Sequence, residues 1–314
     1  MTKLRIGLLG TGPWAEHTQA PALAAHPQAE FSGVWGRRPE AAAALATAHG
    51  VKAYEDVDAL IEASDAVAFA LPPDVQAPLA ARAAAAGRHL LLDKPVATTV
   101  TGAREVVAAA EATGVASIVF CTLRFAADTA PWIAEQAAAG GWFTARAQWL
   151  GSLFANGSTS PYAASPWRRE KGGLWDVGPH VLSVLLPVLG DVTALTALRG
   201  RADTVHLALR HASGASSTAT LSLSAPREAS GAAVELLGER GRATLPEWGD
   251  AIGSFRSAVD ALIESVRGGD THACDVRLGL RITEILAEAE SVMEPVAESA
   301  MEPVVEPATE GRPV

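Results

Sequence analysis

An α/β chain, with a doubly wound parallel sheet in its first part and an open, mostly antiparallel sheet in its second, is predicted by three observations. A short apolar run, Leu4–Leu9, leads directly into Gly10-Thr11-Gly12-Pro13-Trp14-Ala15. Up to residue 122, near-continuous apolar runs alternate with helix-patterned stretches, as expected for strands buried on both faces under crossover helices. After about Leu123 apolar and polar residues alternate within the runs, which fits a sheet with one solvated face. The chain is therefore divided into residues 1–122, residues 123–292 and a tail over 293–314.

Each element has a local reason. Leu4–Leu9 is the first strand, and the Gly-x-Gly-x-x-Ala turn after it opens a helix. Gly10 permits the tight turn, Gly12 lets backbone approach a pyrophosphate, and small Ala15 lets helix pack closely on strand. Phosphates would sit on the free N–H groups of that helix N-terminus. Glycine-rich strand ends also serve as plain turns, so the motif draws its weight from the segments downstream of it. Phe31–Trp35 reads as a strand and Glu40–His49 as an Ala-rich helix ended by Gly50. Asp65–Leu71 is a buried strand stopped by Pro72-Pro73, and Val75–Ala86 is a helix closing at Gly87. His89–Leu92 and Ala116–Cys121 are strands flanking the helix Thr101–Thr113, with Gly114 past its end. In the second part, Phe143–Leu153, Val192–Arg199, Thr204–Arg210, Ser216–Ser224 and Ala232–Leu237 read as strands. Ala251–Arg267 and Arg277–Val292 read as amphipathic helices. The tail repeats Met-Glu-Pro-Val and is rich in Glu, Pro and Ala; such a composition buries too little to offset its ordering entropy and is expected to be disordered.

Composition narrows the function. The 314 residues are 49% hydrophobic, enough for a sizeable core, and the net charge of -10 argues against a general nucleic-acid or acidic-membrane surface. Cys121 and Cys274 are the only cysteines and form no Cys-x-x-Cys, so a reducing compartment is expected and a structural zinc site is not. No uninterrupted apolar run approaches a membrane span, and the N-terminus enters the first strand at once, so a cytoplasmic location is expected. An exposed sheet face of the expected size usually finds a partner, so an apolar outer patch and a homo-oligomer, a dimer or tetramer, are expected.

Three segments carry chemistry. At the end of the second strand, where a carboxylate would accept both ribose hydroxyls of NAD, the chain reads Gly36-Arg37-Arg38-Pro39. Two guanidinium groups there suit the 2′-phosphate of NADP; the alternative is two solvated arginines in a loop. Asp93-Lys94-Pro95 follows the strand His89–Leu92, so Lys94 projects from the carboxyl edge of the sheet, where ligands of such sheets bind. In Gly172–His180, Asp176 and His180 are four apart and share one helix face. A carboxylate beside an imidazole holds its tautomer and raises its basicity, which suits a general base near neutral pH. A capping Asp and a satisfied core His are the alternative. Pro179 removes a helical hydrogen bond and is expected to kink the helix.

Taken together, Gly10-Thr11-Gly12, Leu71-Pro72-Pro73, Gly87–Pro95, Arg124-Phe125, Trp167-Arg168 and Gly172–His180 resemble the glucose–fructose oxidoreductase, inositol dehydrogenase and MocA family, from Leu4 to about Ala289. The resemblance implies an N-terminal Rossmann domain and a C-terminal α/β domain whose open sheet covers the site on one face and forms an oligomer interface on the other. It implies an oxidoreductase moving hydride between a nicotinamide nucleotide and a hydroxyl or carbonyl carbon of a sugar, polyol or related small molecule; the arginine pair makes NADP(H), preferred over NAD(H), the expected cofactor. Lys94, Asp176 and His180 would be catalytic; Arg124, Trp167 and Arg168 would line the substrate cleft. Gly10, Thr11, Gly12, Pro13, Trp14, Arg37, Arg38, Leu71, Pro72, Gln76, Asp93 and Lys94 would hold the cofactor. No metal is implied. Asp93 stands where the family has Glu, Gln76 where His is frequent, and Ser183 where Asp is common, which bears on substrate class more than on hydride transfer. A nicotinamide-binding regulator without turnover and a nicotinamide-dependent glycosidase are the alternatives; intact Lys94, Asp176 and His180 speak against the first.

Overall fold

A computed structural model describes residues 2–293; from residue 294 onward the expected disordered tail lies outside the described residues. β1 (Leu4–Leu9) ends where Gly10 takes φ 129°, a conformation that L side chains avoid. A Cβ at Gly10 would also strike the Ala70 carbonyl, so the ends of two neighbouring strands can approach only through glycine. A π-helical turn, Ala15–Gln19, then leads into α1 (Ala20–Ala24). The buried Gln19 side chain donates to the Phe69 carbonyl at 2.8 Å and ties this helix to the neighbouring strand.

The first part continues with β2 (Ala29–Trp35), α2 (Pro39–His49), β3 (Ala53–Tyr54), α3 (Val57–Ala63), β4 (Ala66–Phe69) and α4 (Pro73–Ala85). It closes with β5 (His89–Asp93), α5 (Val100–Thr113) and β6 (Ser117–Phe120). All six strands run parallel in the order β3-β2-β1-β4-β5-β6. The order reverses beside β1, and that switch point is where such sheets bind ligands. β3 and α3 were not expected, because a two-residue strand and a seven-residue helix are too short to show a period. β4 is shorter than Asp65–Leu71: Asp65 faces outward to pair with Arg5 at 2.6 Å.

The second sheet holds β7 (Trp142–Leu150), β8 (Val192–Arg199), β9 (Val205–His211), β10 (Ser216–Ser222), β11 (Gly231–Gly238) and β12 (Gly241–Thr244). Its order is β12-β11-β7-β10-β9-β8, antiparallel except for the parallel pair β7–β10. α6 (Thr129–Ala139), another unexpected element, precedes it, and α7 (Pro166–Leu189) packs on its inner face. The outer face disagrees with the expected apolar patch: Thr196, His206, Thr218 and Thr220 surround an exposed Leu198 there. α7 is the one described helix long and apolar enough to cross a membrane, and 89% of its apolar window is buried inside the fold.

The break in α7 is at Gly172 (φ 61°, ψ −160°), whereas the backbone stays helical through Pro179, where a kink was expected. Asp203, in the β8–β9 turn, accepts from Gly173 N at 2.9 Å and Leu223 N at 2.8 Å, and from Ser222 Oγ at 2.7 Å. That carboxylate caps the helical segment after the break and pins it to the sheet. α8 (Ala251–Gly268) returns to the first sheet, against β5, β6 and α1. α9 (Val276–Val292) bridges the two parts, touching α5 and β6 on one side and α7 and β8 on the other.

Candidate active site

A cavity of about 910 Å³ opens where the carboxyl edge of the first sheet faces α7 and the inner side of the second sheet, and its wall includes Trp14, Asp93, Lys94, Arg168, Asp176 and His180. Lys94 follows β5 at a cis Lys94–Pro95 bond. The Gln76 side chain, buried in α4, holds this loop. Its Oε1 accepts from Asp93 N at 2.9 Å, and its Nε2 donates to the carbonyls of Asp93, Pro95 and Val96 at 2.8, 3.2 and 3.1 Å. The cofactor contact expected of Gln76 therefore gives way to a structural role, since the whole amide is spent on backbone.

The Lys94 ammonium donates to Asp176 twice, to the carbonyl at 2.7 Å and to Oδ1 at 3.0 Å. Arg168 Nε lies 3.1 Å from Oδ2 of the same carboxylate. Burial alone would raise the Asp176 carboxyl, but Lys94 and Arg168 outweigh it and hold it at about 2. Asp93, beside the loop, is pushed by burial up to about 6 despite Lys94; its Oδ1 accepts from Lys94 N at 2.8 Å.

The expected Asp176–His180 hydrogen bond does not form, because both carboxylate oxygens are taken by cations. His180 instead stacks on Trp149 of β7, with ring centroids 4.5 Å apart and planes 17° from parallel. Its Nδ1 is enclosed and has no partner among the described residues, so Nε2 is the nitrogen left to face the cavity. Burial, helped by Lys94 and Arg168, pushes this imidazole well below the ordinary histidine value. It is a neutral acceptor at pH 7, not the near-neutral titrating group that the sequence predicts. Ser183 Oγ turns back to the His180 carbonyl at 2.7 Å.

The remaining expected residues separate into groups. Trp14 and Arg168 line the cavity. Trp167 supports Arg168 through its ring, 4.6 Å from the guanidinium carbon. Arg124 donates to the Ser183 carbonyl at 3.3 Å and is not part of the cavity wall, so it steadies α7 from behind. Leu71 and Pro72 follow β4, and the Pro72 carbonyl starts α4 by accepting from Gln76 N at 2.8 Å. Arg37 and Arg38 stand exposed after β2, without an ion-pair partner among the described residues.

The turn after β1 fits a dinucleotide. Open space lies where a Cβ of Gly12 would point, and Thr11 packs on Gly36 at the foot of the arginine pair. Trp14 Nε1, at the cavity wall, is a buried donor with no partner among the described residues. Trp149, Trp248 and Asp203 were missed by sequence reasoning. Trp149 was legible in part, since it shares strand parity with the buried Ala145 and Ala147; Trp248, whose ring lies 5.3 Å from that of Trp149, sits in a loop with no pattern.

Residues 4–120 match the family model described as an oxidoreductase family with an NAD-binding Rossmann fold. Residues 136–244 match that of the GFO/IDH/MocA C-terminal domain. Among curated proteins, the dTDP-3,4-didehydro-2,6-dideoxy-alpha-D-glucose 3-reductase of Streptomyces antibioticus is 36% identical over 114 residues, 36% of this chain and 35% of that protein. The match thus spans about a third of that relative. Among solved structures, a Bordetella pertussis dehydrogenase in complex with NADH and UDP-GlcNAcA superposes with a TM-score of 0.79 and 24% identity, over 92% of this chain and 96% of the other. A 3-ketoreductase from Actinomadura kijaniata in complex with NADP gives 0.74 and 20%, over 93% and 98%. These likenesses establish the fold.

Proposed function

The chain belongs to the Gfo/Idh/MocA family of NAD(P)-binding oxidoreductases, and we propose that it is an NADP(H)-dependent dehydrogenase or reductase acting on a hydroxyl or carbonyl carbon of a sugar, polyol or related small molecule. The observation that carries this reading is Lys94 Nζ, 3.0 Å from Asp176 Oδ1, on the cavity wall that also carries His180. Gly10, Thr11, Gly12, Pro13 and Trp14 would hold the dinucleotide, and Arg37 and Arg38 would take a 2′-phosphate. The nicotinamide, when bound, supplies the hydride chemistry.

The chain's own residues handle charge and proton. In oxidation, neutral His180 accepts the proton of the substrate hydroxyl at Nε2, while the Lys94 ammonium stabilises negative charge developing on that oxygen. In reduction the imidazole, protonated at Nε2, returns that proton to the oxygen while the Lys94 ammonium hydrogen-bonds it. Asp176 keeps Lys94 aimed, and Arg168 shares the load on that carboxylate. The sugar-type substrate draws support from the names of the relatives. Assembly into a homo-oligomer is part of the same proposal.

The test is to follow NADPH and NADH oxidation by purified protein against aldoses, ketoses, cyclitols and small carbonyls. Turnover of external NADPH with a carbonyl sugar is the expected result. Tight NADPH retention without turnover on any of them would favour a regulator.

A further inference from the structure

The usual way to aim a catalytic imidazole is a hydrogen bond from its second nitrogen to a carboxylate or carbonyl. Among the described residues His180 has none: Nδ1 is enclosed without a partner, and the carboxylate one helical turn away is committed to Lys94 and Arg168. What touches the ring face is the Trp149 indole, stacked at 4.5 Å and 17°. Trp149 is in turn backed by Trp248 at 5.3 Å. β7 places Trp149 on the inner side of the second sheet, so this contact crosses from sheet to helix.

We infer that Trp149 is the positioning residue of His180, fixing the plane of the imidazole by stacking and shielding it from water in place of a hydrogen-bonded partner. The charged groups facing the ring agree with this. Lys94, in the β5 loop, and Arg168, at the start of α7, oppose a proton on His180; Asp176 favours one but is neutralised by those same cations. A ring shielded by an indole and flanked by two cations stays neutral, and only stacking remains to set its orientation. The catalytic use of that ring rests on the proposed function; its stacking and protonation do not.

The experiment is nuclear magnetic resonance of the full chain carrying labelled histidine, with His180→Gln assigning the resonance among the 8 histidines. In wild type, the His180 ring protons should be shifted upfield by the indole, and the ring should stay neutral through the ordinary histidine range. Trp149→Leu should move the ring's titration upward toward the ordinary histidine range, with Lys94 and Arg168 still holding it below the unperturbed value, whereas Trp149→Phe, which keeps an aromatic face, should stay near wild type. NADPH affinity should be unchanged in both. Once a substrate is in hand, the pH profile of kcat in Trp149→Leu should move with the imidazole while KM for NADPH holds. Absence of the upfield shift in wild type, which needs no variant to fold, would overturn the inference. So would an unchanged His180 titration in Trp149→Leu, or a Trp149→Phe protein that titrates like Trp149→Leu. A confirmed titration with no turnover would spare this inference and count against the proposed function.

Discussion

Lys94 and His180 face one cavity but are held by opposite means. The lysine sits in a polar frame: Gln76 fixes its loop by donating to three carbonyls and accepting from Asp93 N, and a buried carboxylate takes its ammonium. The histidine sits in an apolar one, against an indole, with a ring nitrogen left unpaired. The polar frame keeps a charge inside the protein, and the apolar frame keeps one out. A fixed cation and a neutral acceptor are what deprotonation of a hydroxyl asks for, so the two frames divide the proposed chemistry between them.

The largest expected effects come from breaking either frame at its centre. Lys94→Met keeps bulk and removes the donor, and His180→Ala removes the acceptor; each should lower turnover by roughly 10²–10⁴-fold, the usual size of such effects. The variants should differ in one respect. Loss of Lys94 leaves Arg168 as the main partner of Asp176, so its carboxyl should rise clearly from about 2, whereas loss of His180, the weakest of its stabilising neighbours, should move it much less. Carboxylate titration in the two proteins reads that difference.

Outside both frames, Arg37→Ala with Arg38→Ala should weaken NADPH binding by about 2–4 kcal/mol, from charged hydrogen-bond magnitudes. NADH binding should barely change, and titration with both nucleotides checks it. Equal wild-type affinity for the two would remove the case for NADP preference.

Gln76→Leu tests the polar frame at a distance from the reacting atoms. It strands Asp93 N and three carbonyls, and should cost about 1–3 kcal/mol in denaturant unfolding, the penalty for buried polar groups left unpaired. Turnover should fall while NADPH affinity changes little. An unchanged unfolding curve would mean that the loop holds itself.

The smallest effect belongs to Asp93. Its folded value of about 6 lies above the ordinary 3.8, so the folded state binds the proton more tightly. Stability from this group is therefore full below the ordinary value and lost as pH rises through about 6. Asp93→Asn, which keeps the acceptor for Lys94 N, should raise the melting temperature by about 2 °C at pH 8, the scale of a 1 kcal/mol gain. The gain should be smaller at pH 5 and fade toward the ordinary value of 3.8. An equal shift at pH 8 and pH 5 would contradict the assignment.

The contrast between the frames also explains what the sequence could reveal. Lys94 was legible because a strand, a turn and its chemistry lie within a few residues, and Asp176 with His180 because helical spacing is local. The glycine turn and the alternation of buried strands with helices were legible for the same reason. Partners were not: Gln76 reaches 17 to 20 residues along the chain to the Lys94 loop, and Trp149 meets His180 only when the second sheet closes on α7. The Asp176–His180 pair was misread because helix spacing puts two side chains on one face but does not reveal a stronger partner from elsewhere. Lys94 and Arg168 arrive from outside that helical turn and win the carboxylate by charge. The break in α7 has the same origin: Pro179 was a visible suspect, while Gly172 bends because Asp203, from a distant turn, captures the next N–H.

Net hydride transfer at this cavity is tested most directly with NADPH deuterated at C4, incubated with wild-type protein and the carbonyl sugars of the screen, followed by mass analysis of sugar and nucleotide. The predicted result is deuterium on a former carbonyl carbon, with one equivalent of NADP+ formed per label transferred, and loss of that transfer in Lys94→Met. Label that stays on the nucleotide while the sugars bind, or cleavage of a glycoside with no net NADP+, would contradict it.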